Sequence, residues 1–248
     1  IRLGDHVLIH KAGDIIPEVI KSLPEKRKGT EKIFEMPEHC PECASPVIQE
    51  EGEVAHRCTS ITCPARQREA IIHYVSRDAM NIDGLGPAVI QQLLDEGLIK
   101  DAGDLYYLKH EELVKLERMG QKSAENLLNA VEDSKERGLA PLIFALGIRH
   151  VGAKAGRILA QRYGSMENLA QATEEELLET PEIGPTMAKS IVQFFQQEST
   201  GEFIKKLAEA GVKMTAEVSQ KPQIFSGQSI VVTGTLERWG RKEIESII

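Results

Sequence analysis

Residues 81–87 read Asn81-Ile82-Asp83-Gly84-Leu85-Gly86-Pro87, and the apolar–glycine pair within them returns three more times along the chain. The later pairs are Met119-Gly120, Val151-Gly152 and Ile183-Gly184. Their glycines follow one another after 34, 32 and 32 residues (86 to 120, 120 to 152, 152 to 184), a spacing that chance placement of glycine would rarely produce. The sequence therefore predicts four copies of one structural unit.

Each apolar–glycine pair separates two helical patterns. Pro87 and Pro185 follow the first and last of the four glycines, and proline is favoured in the first turn of a helix, where its missing N–H costs nothing. The predicted unit is a helix, a tight hairpin and a second helix. A glycine just before a helix lets a ligand approach the backbone, and the first-turn N–H groups together with the helix dipole favour an anion such as phosphate.

The first copy contains the pattern glycine, apolar residue, glycine and resembles the helix-hairpin-helix motif of proteins that bind DNA without sequence specificity. In the other copies Arg118, His150 and Glu182 replace the earlier glycine. We expect the Glu182 hairpin to bind phosphate least, because a carboxylate repels it. The alternative is a helical solenoid with a period of roughly 34 residues, which would bind protein in a groove.

The residue four positions after each repeated glycine predicts how closely the two helices of a unit pack. It is small in three copies (Ala124, Gly156 and Ala188) and large in the first (Ile90). We expect the three units with a small residue to pack their helices closely.

The composition predicts a globular protein with aliphatic cores, because 41% of the 248 residues are hydrophobic and 4% are aromatic. No apolar run reaches the length of about 18 residues that spans a bilayer, and no basic-then-apolar leader is present in the sequence. We therefore expect a cytoplasmic protein with no membrane partner. The sequence gives no signal for oligomerisation, and we expect a monomer.

The net charge of −8 argues at first sight against a polyanionic partner. However, the acidic residues concentrate at 50–53 and 174–176, whereas basic side chains lie around the second and third hairpins. These are Arg118, Lys122, Arg149, His150, Lys154, Arg157 and Arg162. A locally basic face, helped by main-chain amides, is compatible with DNA.

All four cysteines lie in two close pairs, Cys40 with Cys43 and Cys58 with Cys63. Paired thiolates at this spacing favour one tetrahedral zinc ion per chain, and a closed four-thiolate site leaves no open position for water, so its zinc is structural. Two alternatives are weaker. Two disulfides do not suit a cytoplasmic chain, and a mixed site with His39 or His56 is not needed when four cysteines are present.

Residues 1–36 are predicted to belong to a β domain. An alternating run from Asp5 to His10 suits a half-buried strand, a turn follows at 12–14, and a second apolar run ends at Pro17. The segment 21–32 is predicted to be an exposed loop. Two or three strands cannot close a barrel, so we expect this domain to continue before the sequence begins.

A helix is predicted from Pro64 to Arg77, leading into a hairpin region at 67–217. Its most apolar segment, 139–146, is predicted to be a buried helix on which the hairpin pairs pack. After a linker at 218–222, a β-rich run at 229–233, the turn Gly234-Thr235 and a helix at 241–248 predict the beginning of an α/β domain. That region has no phosphate-binding glycine motif, so it gives little support for a nucleotide site.

The order of these parts resembles the C-terminal half of a bacterial NAD-dependent DNA ligase over the whole chain. The resemblance implies the end of an oligonucleotide-binding (OB) fold at 1–36, a zinc finger at 37–66, a helix-hairpin-helix domain at 67–217 and the start of a BRCT domain at 218–248. Besides the four cysteines, the phrases that carry it are residues 2–5, 11–17, 116–120, 122–124, 145–149 and 232–236.

The family seals a 5′-phosphate to a 3′-hydroxyl at a nick in duplex DNA, in replication and repair. The resemblance implies NAD and Mg²⁺ as cofactors of the whole enzyme and an adenylating lysine in a K-x-D-G motif of a preceding domain. The closest match here, Asn81-Ile82-Asp83-Gly84, has an amide where the nucleophile must be. No catalytic residue is therefore assigned, and the chain is expected to hold nicked DNA without sealing it.

The expected DNA contacts are backbone amides at the hairpin glycines and neighbouring basic side chains. They comprise Gly84, Gly86, Gly120, Lys122, Arg149, Gly152, Lys154 and Gly184. A bulky residue at Gly120 should block close approach and would strain any backbone there with a positive φ angle. Two other classes remain open, a repair-nuclease subunit, for which no catalytic cluster is found, and a protein-interaction scaffold.

Overall fold

The computed structural model describes residues 1–216 apart from Asp14, Glu50, Glu51, Glu53 and Ile61, and beyond residue 216 only Val231, Gly240 and Ile244. The predicted linker, strand, turn and helix between 218 and 248 otherwise lie outside the described residues. Within the described part, no helix is both long and apolar enough to cross a membrane. Helices dominate this part of the chain.

The strands are short and the helices follow them in sequence. The strands are β1 (Arg2–Leu3), β2 (Val7–Ala12), β3 (Ile16–Ser22), β4 (Lys32–Ile33), β5 (Val47–Gln49) and β6 (His56–Cys58). The helices are α1 (Pro64–Val75), α2 (Pro87–Asp95), α3 (His110–Leu113), α4 (Gln121–Ser134), α5 (Leu139–Ala145), α6 (Ala153–Tyr163), α7 (Met166–Gln171), α8 (Glu174–Leu178), α9 (Pro185–Phe195) and α10 (Glu198–Glu209). Short 3₁₀ turns occupy Pro24–Lys26, Ala102–Tyr107 and Lys135–Arg137.

Residues 1–36 form two antiparallel two-stranded sheets, β1 with β4 and β2 with β3. The prediction that the second run ends at Pro17 is wrong, since β3 continues to Ser22 and Pro17 pairs with Lys11. A two-stranded ribbon has two edges, where a proline without an N–H is tolerated. The predicted loop at 21–32 is likewise interrupted by the end of β3, a 3₁₀ turn and the start of β4.

The predicted half-burial of the first strand is also wrong for this structure. Val7, Leu8 and Ile9 are all exposed, as are the apolar residues of β3, and among the described residues no second layer covers the ribbon. The side chain of Asp5, next to the ribbon, is buried by contrast. Its carboxylate accepts hydrogen bonds from the guanidinium of Arg27 at 2.6 and 2.7 Å and from the backbone N–H of Arg2, and these bonds hold the pKa of that carboxyl well below its usual range.

Contacts divide the chain into two compact units, one of residues 1–75 and 83–127 and the other of residues 76–82 together with 128 onward. In the first unit, α1 packs against α2 and the 3₁₀ turn at Ala102–Tyr107. Tyr74 is fully buried there, and its hydroxyl is 2.9 Å from that of Tyr106. Helix α1 ends at Val75, two residues before the predicted end, and it buries Ile71, Tyr74 and Val75.

In the second unit, α5 packs against α6 and α8 against α9. The prediction of a buried helix at 139–146 is confirmed by α5, whose Leu139, Leu142, Ile143 and Ala145 are all buried. Gly156 of α6 permits this packing, because a Cβ at that position would lie 3.0 Å from the carbonyl oxygen of Ala140. The close approach of these two helices therefore depends on a missing side chain.

Candidate metal centre and nucleic-acid interface

The four cysteines come together in a single cluster. Their sulfur atoms all lie within 4.8 Å of one another, with 3.9 Å between Cys40 and Cys63 and 3.4 Å between Cys43 and Cys58. Zinc–sulfur bonds of about 2.3 Å in a tetrahedron place the sulfurs about 3.8 Å apart. These separations match that value and are far longer than a disulfide of about 2.05 Å, so the donor set fits one zinc ion.

The backbone brings the two cysteine pairs together through a short hairpin. β5 pairs with β6, and Cys58 ends the second strand opposite Val47. The first pair lies in a turn in which Ala44 N–H donates to Cys40 C=O and Ala44 has a positive φ of 56°. Because the turn and the hairpin are local, this part of the site needs no distant contact.

Neighbouring groups affect the thiol pKa values in opposite directions. Hydrogen bonds from the side chain and backbone of Ser45 lower the pKa of Cys43 to about 6, which favours the thiolate that binds metal. Burial raises the pKa of Cys58 to about 12. Cys63 immediately precedes α1.

Two further side chains bear on this centre. The Arg66 guanidinium donates to the carbonyl oxygens of Ser60 at 2.7 Å and Cys58 at 3.4 Å, connecting α1 to the loop that carries the second cysteine pair. His39 and His56 are exposed and are not members of the cluster. The geometry therefore favours an all-cysteine site over the mixed alternative.

The four predicted hairpins share one backbone geometry. In the last three, the N–H of Met119, Val151 or Ile183 donates to the carbonyl three residues earlier, which closes a tight turn. The third residue of each turn has a positive φ. It is Gly84 (90°), Arg118 (61°), His150 (67°) and Glu182 (66°) in the four hairpins. The hairpin shape thus persists in three copies although its first glycine has been replaced.

Residues with a Cβ rarely adopt this left-handed conformation, and each pays about 1–2 kcal/mol for it. Among the described residues, five that are not glycine have a positive φ, and three of them occupy this one hairpin position. The repeat aligns Arg118, His150 and Glu182 with Gly84 and so identifies their position in the hairpin. The sequence alone does not show that these three residues keep the left-handed conformation. Arg118 projects almost fully into solvent, with 91% of its side chain exposed.

The second glycine of each hairpin caps the helix that follows. The carbonyls of Gly86, Gly120, Gly152 and Gly184 each accept a hydrogen bond from the N–H four residues on, at 2.9 to 3.1 Å. None of these glycines has a positive φ, so the expectation of backbone strain at Gly120 does not apply. Apart from its chain neighbours, a Cβ at any of the four would meet no atom of the described residues within 4 Å.

That open space has a consequence for the role of these four glycines. Neither the backbone conformation nor internal packing requires glycine there, and serine, aspartate or asparagine would cap a helix better. A capping glycine has no side chain that could bond to the first-turn N–H groups, and these groups have no intrahelical acceptors. What remains is room for an external anion to reach those N–H groups.

The four helix starts differ in charge and donors. Pro87 and Pro185 remove the first N–H in hairpins one and four, whereas hairpins two and three retain it and carry Lys122 and Lys154 at the second helical position. Both lysines are mostly exposed. Hairpins two and three therefore combine N–H donors with a cation.

Two of the residues predicted to contact DNA, Gly84 and Arg149, lie in hairpin turns rather than at the start of a helix. Gly84 lies in the turn, where its φ of 90° accounts for the glycine and a Cβ would approach Leu127 at 3.7 Å. Arg149 is half-buried within the turn of hairpin three.

The residues four positions after the capping glycines are buried, as the predicted packing role requires. They are Ile90, Ala124, Gly156 and Ala188.

Hairpins three and four are joined by an ion pair. Glu182, the residue with positive φ in hairpin four, places a carboxylate oxygen 2.5 Å from Nζ of Lys154 in hairpin three. The two residues are 28 positions apart, so sequence reasoning did not find this pair. Lys122 pairs instead within its own helix, with Glu125 at 3.2 Å.

Known families match the chain in three segments. A model of the NAD-dependent DNA ligase C4 zinc finger domain matches residues 39–65, a SAM-like helix-hairpin-helix tandem matches 76–133, and a helix-hairpin-helix motif matches 141–204. These segments cover the cysteine cluster, the first two hairpins and the last two hairpins, respectively.

Similar full-length proteins carry the name DNA ligase. One from Desulfitobacterium hafniense is 73% identical over 248 residues, covering 100% of this chain and 38% of its own length. One from Halothermothrix orenii is 53% identical over 98% of this chain and 37% of its own length, and one from Pelotomaculum thermopropionicum is 53% identical over 100% and 37%. The chain thus spans well under half the length of these relatives.

Proposed function

Because the chain belongs to the NAD-dependent DNA ligase family, we propose that it is the part of such an enzyme that holds duplex DNA while a nick is sealed between a 5′-phosphate and a 3′-hydroxyl. One observation carries the proposal. Four helices begin at glycines whose missing side chains leave open space for a ligand, and their first-turn N–H groups suit phosphate. The segments matched to helix-hairpin-helix models contain all four.

The proposed phosphate contacts are the first-turn amides beside Gly86, Gly120 and Gly152, assisted by Lys122, Lys154 and the guanidinium of Arg149. We assign Gly84 to shaping its turn. Gly184 is assigned the weakest site, because Pro185 removes one donor and Glu182 repels phosphate. Contacts of this kind position a protein on DNA but do not read bases, so binding should be independent of sequence.

The proposed zinc ligands are Cys40, Cys43, Cys58 and Cys63, one ion per chain. With four thiolates bound, the ion has no position for water or substrate, and its role is structural. The ion would fix the loop that precedes α1, and Arg66 supports that loop from the helix side.

The remaining assignments rest on the family. We propose an OB-fold segment at 1–36, the zinc module at 37–66, the hairpin region at 67–217 and a BRCT segment at 218–248. NAD and Mg²⁺ would act in a part of the enzyme that carries an adenylating lysine, and the protein would work as a cytoplasmic monomer in replication and repair. No K-x-D-G motif occurs in this sequence.

Fluorescence titration with labelled duplexes tests this function. Two unrelated sequences, each with and without a nick, should bind with similar affinity across the two sequences and with strong salt dependence, since phosphate contacts release counterions. Absence of duplex binding by a folded protein would favour the scaffold alternative. A large preference for one sequence would contradict contact through backbone phosphates.

A further inference from the structure

We propose that Glu182 acts as an internal substitute for a DNA phosphate, occupying Lys154 of hairpin three in the free protein and being displaced when DNA binds. The inference rests on the proposed function, because it concerns a lysine that is assigned to DNA. It gives hairpin four a role other than a fourth phosphate site.

Lys154 lies where a bound phosphate would be. It is the second residue of α6, within the first helical turn that follows Gly152. A phosphate bound to the first-turn N–H groups would therefore also contact the ammonium group of Lys154. In the structure its Nζ is 2.5 Å from the Glu182 carboxylate, although 73% of its side chain is exposed. A carboxylate and a phosphate oxygen make the same kind of charge-assisted hydrogen bond with an ammonium group, so they compete for it.

Glu182 has an unfavourable backbone conformation. Its φ of 66° is the left-handed conformation, which glycine adopts without strain at the equivalent position of hairpin one. Strained residues persist where the surrounding structure holds them, and they concentrate at functional sites. The tight turn of hairpin four directs this carboxylate to the neighbouring hairpin.

Hairpin four differs from hairpins two and three in the charged residues at its helix start. Hairpins two and three both carry a lysine at the second helical position, but Lys122 is paired with Glu125 of its own helix, and the residue with positive φ beside it is Arg118. Hairpin four has Pro185 and no lysine at its helix start. Its contribution is therefore a negative charge that acts on hairpin three.

The proposed exchange predicts that the affinity for duplex DNA rises when the carboxylate of Glu182 is removed. Glu182→Gln keeps the size and backbone preference of the side chain but leaves Lys154 unpaired in the free protein. Exposed ion pairs are weak, so duplex affinity should rise by about two- to fivefold. The slope of log K against log salt should stay the same, because Lys154 reaches the same phosphate in both proteins.

Glu179→Gln is the matched control. It removes the same charge three residues away, from a carboxylate that lies 3.9 Å from Arg162 rather than near Lys154. Any gain common to both variants measures the general loss of negative charge. The specific effect is the excess of Glu182→Gln over Glu179→Gln.

The pair is isolated by repeating both substitutions in a Lys154→Ala protein. The excess should disappear there, and Lys154→Ala alone should weaken binding and reduce the salt slope by about 0.9. Equal gains for the two glutamate variants, or an excess that persists without Lys154, would overturn the inference while leaving DNA binding intact. Absence of duplex binding by the folded wild-type protein would instead refute the proposed function, and the inference with it.

Discussion

Replacing Gly120 by valine should separate DNA binding from folding. Its carbonyl caps α4, its φ is not positive, and a Cβ there would touch no atom of the described residues within 4 Å apart from its chain neighbours. The folded state therefore loses only the helix-capping preference of glycine over valine, about 1 kcal/mol. A phosphate, however, could no longer approach the first-turn amides.

The expected loss of affinity follows from the contacts that are blocked. A hydrogen bond to a charged group contributes about 1.5–3 kcal/mol, and 1.4 kcal/mol is a factor of ten, so blocking one such bond should weaken duplex binding about ten- to a hundredfold. The salt slope should change little, since Lys122 and the other cations remain. Titration at one fixed salt concentration and at several others measures both quantities.

Two substitutions provide controls in the same chain. Gly184→Val carries a similar capping cost at a helix start that is poor in donors, so it should reduce affinity by less than about threefold. Gly156→Ala should instead reduce stability without affecting DNA binding, because its Cβ would lie 3.0 Å from the carbonyl oxygen of Ala140. Overpacking of about 1–3 kcal/mol, offset by about 1 kcal/mol of helix propensity, should lower the unfolding free energy by about 1 kcal/mol and leave DNA affinity unchanged.

The reasoning would be refuted if Gly120→Val left duplex affinity unchanged in a folded protein. It would also be refuted if Gly120→Val and Gly184→Val weakened binding equally, because the hairpins would then not differ in the way that their donors and charges require. Thermal unfolding of all three variants shows whether a loss of binding reflects a loss of fold.

Three other outcomes are expected. Metal analysis after dialysis should give one zinc per chain. Cys58→Ser should release the ion and unfold the module around β5 and β6, because zinc binding contributes directly to the folding of that module. Protein that contains no zinc after purification under reducing conditions would contradict this prediction. Lys122→Ala should weaken binding to all duplex sequences alike and reduce the salt slope by about 0.9, whereas an unchanged slope would remove Lys122 from the contacts. Labelled NAD should leave no covalent AMP on this chain, since no lysine here lies in a K-x-D-G motif, and a labelled lysine would show that the chemistry was misassigned.

The sequence predicts those structural features whose determinants are local in the chain. The four helix starts follow from a glycine and the residues directly after it, and the cysteine cluster follows from two short spacings, so both could be predicted. The β2–β3 ribbon could not be predicted in detail, because alternation in 5–10 is typical of a half-buried strand whether or not another layer packs against it. Burial at that ribbon depends on what lies beside it.

The interactions that sequence reasoning missed are those set by distance in space. Nothing near Lys154 in the sequence indicates that it pairs with Glu182, since the contact depends on how hairpins three and four pack. Likewise, the sequence shows only that Arg118 and His150 replace the first glycine of the hairpin, whereas the turn keeps its geometry and both residues adopt a left-handed backbone. In both cases tertiary structure overrides the local preference.

The left-handed position of the hairpin turn has an evolutionary consequence. A side chain there costs about 1–2 kcal/mol in the folded state, but replacing it by glycine adds about 0.4–1 kcal/mol of entropy to the unfolded chain. The second effect offsets about half of the first, so a side chain there has a net cost of roughly 0.5–1 kcal/mol, which is small beside a typical stability of about 5–15 kcal/mol. After a hairpin is duplicated, the position is free to acquire positive, titratable or negative side chains, as Arg118, His150 and Glu182 illustrate. Repeats with one backbone can then diverge in charge without passing through unstable intermediates.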